Sequence, residues 1–260
     1  MDKLWSIVPV LYVWMCIVDT RTLVMASLIT LWGIRLTYNF LRRGGYTWPY
    51  IWKGEEDYRW SYVRQGAYMD ILTQPWIWHI FNLVFISFYQ NILLFLITTP
   101  CFAVYTMYTS CQTDDFYVPF QLWGMDGFLC ILILSLILLE TVADNQQFHF
   151  QSNKAKVGLV GVYADGFCQT GLFAYARKPH YAAEQAIWIC FYFFSLTATK
   201  THLMNYSIVG CVLLCLLFQG SAALTESITV KKYTKYAEYQ KKVPLFIPRF
   251  TKNSNKAKKY

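Results

Sequence analysis

The chain has 260 residues, 56% of them hydrophobic and only 15% charged, with a mean hydropathy of +0.29. Soluble domains carry about 25% charged residues, so the composition excludes an ordinary soluble globule and indicates an all-α polytopic membrane protein. A net charge of +8 would suit nucleic acid, but the cations fall in loops and tail between apolar runs, as positive-inside topology requires; no nucleic-acid partner is expected.

Six apolar spans can be drawn, over roughly 4–18, 22–41, 76–98, 122–143, 183–199 and 203–224. The first falls short of the ~20 residues that a bilayer core requires, so it is expected to tilt, to re-enter or to be the end of a longer run. No small-residue cleavage site follows it, and no cleavable signal peptide is expected. Arg42, Arg43, Lys53, Arg59 and Arg64 occupy the loop after the second span, and Lys154, Lys156, Arg177 and Lys178 the loop after the fourth. The intervening 99–121 loop has no Lys or Arg and carries Asp114 and Asp115. Both termini and every basic segment are therefore expected on the cytosolic side.

Residues 1–250 are expected to form one integral-membrane domain, and 251–260 a disordered basic tail. That tail ends KAKKY, either a dilysine retrieval signal of the endoplasmic reticulum, through Lys256 and Lys258, or a solvated lysine run. The eight cysteines form no CxxC pair and no Cys/His cluster, so no metal site is expected; Cys101 and Cys111 could pair if their segment is lumenal.

Four polar segments interrupt the apolar pattern. The second span ends RLTYNFLRRGGY, placing Arg35, Tyr38 and Arg42 at i, i+3 and i+7 of one helix face. Guanidinium forks match phosphate, although snorkelling at the interface also explains Arg42 and Arg43. GEEDYRW, from Gly54 to Trp60, could be an acid/base or ribose-binding group, or a latched loop. Beyond Glu140, Asp144, Asn145 and Gln147 could bond ribose or adenine, or satisfy a helix end. GLFAYARKPHYAAE sets Arg177, Lys178, His180, Tyr181 and Glu184 just ahead of an apolar run, where ionisable groups are functional by default. No Rossmann or P-loop glycine fingerprint occurs. After the last span, Glu226 and the Lys- and Tyr-rich segment to Pro248 suit an interfacial helix or a lid over a cofactor pocket.

In order and spacing, RGGY, EEDYRW, ADNQ, GLFAYARKPHYAAE and the Tyr-rich VPLFIP tail resemble the steroid 5-alpha-reductase superfamily, in its branch of uncharacterised integral-membrane proteins. The resemblance covers most of the chain. It implies six transmembrane helices around a cytosolic-side cofactor pocket, with Arg177, Tyr181 and Glu184 matching the cofactor motif. Tyr38 and Arg43 match the end of the cofactor-lining helix. The chain departs from the pattern at Lys178 and His180, where the motif has His and Asn, at Ala176 and Ala183, and at Trp32, where steroid reductases keep a catalytic tyrosine.

The expected function is NADPH-dependent reduction of a conjugated C=C bond in a lipophilic, sterol- or fatty-acyl-like substrate at the endoplasmic reticulum. Arg35, Arg42, Arg43, Asp144, Arg177 and His180 are expected to bind NADPH, together with Tyr181, Glu184, Lys232, Tyr236 and Tyr239. Tyr38 and Tyr58 are the expected acid/base groups, with Glu56 as partner. Two alternatives stay open: an S-adenosylmethionine-dependent methyltransferase on the same C-terminal helices, and a non-catalytic lipid-binding or scaffold protein. Membrane lipids are expected contacts, and the sequence leaves the oligomeric state open.

Overall fold

The computed structural model describes residues 3–46, 49, 57–66, 69–110, 117–199 and 204–248. Among these the chain is helical: α1 Val8–Trp14, α2 Thr20–Arg42, α3 Tyr58–Arg64, α4 Pro75–Phe81, α5 Gln90–Ser110, α6 Met125–Val157, α7 Pro179–Thr197, α8 Ile208–Lys232 and α9 Tyr236–Lys242. A π-helical stretch, Asn82–Tyr89, joins α4 to α5, so Pro75–Ser110 forms one rod of 36 residues. No strand forms among the described residues; a single antiparallel bridge pairs Tyr117 with Thr199.

Local chemistry sets the helix ends. The Asp19 carboxylate accepts the Thr22 amide at 2.9 Å while the Thr22 hydroxyl accepts the Asp19 amide at 3.0 Å, a capping box that starts α2. Pro75 and Pro179 open α4 and α7 at the first helical position, where the missing N–H costs nothing. Gly158, at φ +79°, ends α6.

Four helical rods are long and apolar enough to cross a membrane: Thr20–Arg42, Pro75–Ser110, Met125–Val157 and Ile208–Lys232. They match the second, third, fourth and sixth expected spans. The first expected span contains only the seven-residue α1, which lies antiparallel to α2; Ser6 accepts from Thr37 at 2.7 Å and the Trp14 indole donates to Thr30 at 2.9 Å. The fifth is α7, nineteen residues long but carrying His180, Glu184 and Gln185 in its first two turns. It is the most enclosed helix, packed on α6, α5 and α8, with Ile187, Trp188, Phe191 and Phe194 almost fully buried. Ile34, Ile131, Leu138 and Leu216 on the outer helices are exposed, as lipid-facing side chains must be.

Polar contacts fix direction as well as register. At one end of the bundle Arg21, fully buried, donates to both Asp126 oxygens at 3.2 and 2.8 Å and to the Thr197 carbonyl at 3.3 Å. The Thr197 hydroxyl in turn donates to Asp126 at 2.6 Å. Arg21 and Asp126 stand in the first turns of α2 and α6 and Thr197 in the last of α7. Thus α2 and α6 run parallel and α7 runs against them. The expected Cys101–Cys111 pairing falls on a residue outside those described; Cys101 itself is buried, its thiol 3.9 Å from the Val13 carbonyl.

The helices α5 and α8 approach each other closely at Gly210. A Cβ at Gly210 would stand 2.1 Å from the Leu96 carbonyl oxygen, a backbone atom that cannot swing aside. Gly210→Ala is therefore expected to destabilise by about 1–3 kcal/mol. Gly220→Ala, also in α8 and with nothing within 4 Å of its added Cβ, is expected to stabilise by up to about 1 kcal/mol. Thermal unfolding in detergent measures both, and equal effects would refute the close approach.

Candidate functional site

About 15 residues past their first turns, α2 and α6 meet α7 again around Arg35. Its guanidinium faces three carboxylates: Glu140 at 2.9 Å, Asp144 at 2.7 Å and Glu184 at 3.5 Å. All four side chains are almost completely buried. The rest of the network is supplied locally. Glu184 accepts the Trp32 indole N–H at 3.0 and 2.9 Å and the Trp188 indole N–H at 3.0 Å. Asp144 accepts from Asn39 at 2.9 Å and from Arg43 at 3.4 Å. Arg42 donates to Asn39 at 2.9 Å and to Asn145, with its guanidinium over the Phe148 ring at 4.6 Å.

One turn before Glu184 on α7 the environment changes from carboxylate-rich to cation-rich. His180 sits in the electrostatic field of Lys178, Arg43, Arg35 and Arg59. Its Nδ1 is buried and has no hydrogen-bond partner, and its ring meets Tyr181 edge-on at 4.7 Å. Arg59, from α3, is held by Asp57 at 2.6 Å and reaches the Ser221 hydroxyl at 2.5 Å and the Tyr181 hydroxyl at 3.4 Å. Lys178 forms no ion pair among the described residues; its ammonium lies 5.6 Å from the Tyr181 ring centre. Burial pushes that ammonium below the usual lysine range, against the pull of Tyr181 and Glu226. Tyr58 is 58% exposed; partial desolvation of its phenol and then neighbouring Tyr181 raise it above its ordinary value.

Arg177 points elsewhere. It donates to Glu226 on α8 at 2.8 Å, to the Gln240 carbonyl at 3.0 Å and to the Val243 carbonyl. The Arg177 and Lys178 amides add bonds to the Pro244 and Leu245 carbonyls, both at 2.9 Å. Tyr236 donates to Glu226, and Tyr239 to the Phe173 carbonyl. Burial, then Glu226, raises the Tyr236 phenol above its ordinary value. These contacts make α9 and the segment after it a strap across the start of α7.

The structure thus gathers Arg35, Arg42, Arg43, Asp144 and Glu184 in one network, with His180 and Tyr181 beside it. It places Arg177, Tyr236 and Tyr239 in the strap, while Lys232 is exposed with its ammonium 5.5 Å from the Tyr233 ring centre. Tyr38 is 60% exposed, under the Arg42 guanidinium, and Glu56 lies outside the described residues. The phosphate role expected of Arg35 and Arg177 meets a physical obstacle: protein carboxylates and carbonyls already engage both guanidiniums, although the Arg35 Nε has no partner among the described residues. Glu140, Asn39, Trp188 and Ser221 join the site without having been expected there. Of these, Glu140 and Asn39 carry a signal, each four residues from an expected partner, Asp144 and Arg35, on the same helix face.

Removing one partner of a buried ion network leaves charges uncompensated, at about 3–5 kcal/mol. Arg35→Ala is expected to cost that much, whereas Arg43→Ala, at a side chain 47% exposed, should cost no more than about 1 kcal/mol. Thermal unfolding in detergent compares the two. Arg177→Ala should release the strap, so limited proteolysis should cut between Lys232 and Lys242 faster than in the unsubstituted protein while the four long rods stay protected.

The sequence pattern of a family described as protein of unknown function (DUF1295) matches residues 1–243. An uncharacterized protein of Schizosaccharomyces pombe is 34% identical over 268 aligned residues, covering 95% of this chain and 72% of the relative. No solved structure matches the chain. With the match running from α1 to just past α9, the chain belongs to the DUF1295 family.

Proposed function

We propose that this protein is an NADPH-dependent reductase acting on a conjugated C=C bond of a lipophilic substrate within the endoplasmic-reticulum membrane. The observation that carries the reading is the His180 ring, whose Nδ1 is buried without a partner and which lies in the electrostatic field of Lys178, Arg43 and Arg59. Lys178, which forms no ion pair among the described residues, and an unsatisfied buried ring nitrogen suit contact with an anionic ligand. Residues 3–16 and α7 are read as the first and fifth passes, which puts both termini at the basic, cytosolic end. Lys256 and Lys258 then serve as the retrieval address.

The fit is to part of the expected set. Lys178 and Arg43 would hold phosphate oxygens and His180 would complete the contact, while Arg35 acts through the network that fixes α2, α6 and α7. The bound cofactor would supply the hydride. Tyr58, with its phenol raised to about 12, stays protonated at neutral pH and suits hydrogen-bond donation to a substrate carbonyl. Arg59 and Tyr181, beside it, orient that hydroxyl.

One observation favours a different cofactor. With the Arg35 and Arg177 forks occupied by Glu140, Asp144, Glu184 and Glu226, fewer cations remain for a polyphosphate, which suits the less anionic S-adenosylmethionine. Thermal shift in detergent with NADPH, NADH and S-adenosylmethionine separates the readings. At 100 times its dissociation constant the true ligand should stabilise by about 2.7 kcal/mol. NADPH is expected to do so and Lys178→Gln to reduce the shift. A response to the methyl donor alone would replace the reductase reading, and no response to any of the three favours a non-catalytic role.

A further inference from the structure

We propose that the recess between α3 and α4 binds the phosphate of an anionic phospholipid headgroup. The recess has a volume of about 230 Å³ and is lined by Trp60, Ser61, Arg64, Gln65 and Trp78. Trp78 is only 4% exposed, and the Arg64 guanidinium lies over its ring, 4.8 Å from the centroid. Stacking of that kind fixes the plane of the cation and leaves its edge N–H groups available.

Arg64 differs from the protein's other engaged arginines. Arg21, Arg35, Arg43, Arg59 and Arg177 each meet a carboxylate within 4.0 Å, and Arg42 donates to two asparagines. Among the described residues Arg64 has the Trp78 ring and no acceptor. Trp60 and Gln65 also line the recess; the Ser61 hydroxyl is committed to the Tyr58 carbonyl at 2.7 Å. A guanidinium stacked on an indole, without an acceptor among the described residues, selects an anion with several oxygens.

The position selects a lipid. The recess lies at the start of the Pro75–Ser110 rod, long and apolar enough to cross a membrane, whose first turns expose Trp76, Ile80, Leu83 and Val84. A phospholipid meets both features at once, its phosphate taking the guanidinium and its acyl chains the exposed apolar side chains. This inference does not depend on the reductase reading, since the recess shares no lining residue with the His180 site.

The test uses the full chain in nonionic detergent, titrated with phosphatidylglycerol and separately with phosphatidylcholine, counting bound lipid by native mass spectrometry. Phosphatidylglycerol should be retained preferentially. Arg64→Gln should weaken that retention on the order of thirtyfold, the loss of a charge-assisted fork. Lys241→Gln, at an exposed position, should weaken it no more than about fivefold, as any surface charge would. Should Arg64→Gln fail to fold, Gln65→Leu, also exposed, is expected to weaken retention about fivefold. Equal retention of the two lipids, or unchanged retention by Arg64→Gln (by Gln65→Leu where Arg64→Gln does not fold), overturns the proposal. Displacement of the lipid by soluble glycerol phosphate at equal concentration overturns the lipid assignment in favour of a soluble phosphate ester.

Discussion

Two buried ionic contacts, one at each end of the bundle, hold α2, α6 and α7 to one another. Arg35 and Glu140 each lie fourteen residues beyond Arg21 and Asp126, roughly 21 Å along their helices. Parallel rods joined twice at equal spacing have one register. Apolar packing alone would not choose it, because lipid tails are as apolar as the side chains they compete with. The antiparallel α7 closes the frame, with Thr197 at the Arg21 end and Glu184 at the Arg35 end. Desolvating these charges is costly, and facing carboxylates offset it at both guanidiniums, although the Arg35 Nε is left without a partner among the described residues. Arg21 reaches Asp126, Tyr117 and three backbone carbonyls.

The same pairing governs which groups remain for a ligand. A guanidinium between three acids presents no net positive field, and Arg177 is likewise spent on Glu226 and carbonyls of the strap. What is left at the head of α7 is the ammonium of Lys178, the half-exposed Arg43 and the unpartnered nitrogen of His180. Two of these three stand where the chain departs from the motif it resembles. Glycine is not needed at Ala183, whose side chain is buried against the bundle.

The long apolar runs were legible because period and length suffice for a helix in hydrocarbon. Their ends were less so. Proline at position 100 suggests a stop near residue 98, yet the helix continues to Ser110, since neighbouring helices re-satisfy backbone groups that a membrane proline frees. Polarity after residue 143 suggests a loop, yet α6 runs to Val157, because a helix leaving the apolar core keeps its hydrogen bonds while its side chains turn polar. Cation positions were legible too, but not their partners. Nothing in the local sequence shows that Arg35 meets Glu140 and Glu184 and not a ligand, because that pairing exists only once three distant segments are packed.

Trp32 shows how far the packing alters a local reading. An indole N–H can only donate, and this one is committed to Glu184 together with the Trp188 indole. Ring contact between the two at 5.0 Å, nearly perpendicular, holds both in place. The carboxylate so gripped also faces Arg35, so Glu184 is fixed as an acceptor and Trp32 has no proton to give. The phenols near the head of α7 lie on the opposite side, where Tyr58, Arg59 and Tyr181 cluster. A phenol raised to about 12 is a poor base at neutral pH and a persistent donor. That half of the site keeps hydrogen-bond donors, while the Arg35 half holds the helices that carry it.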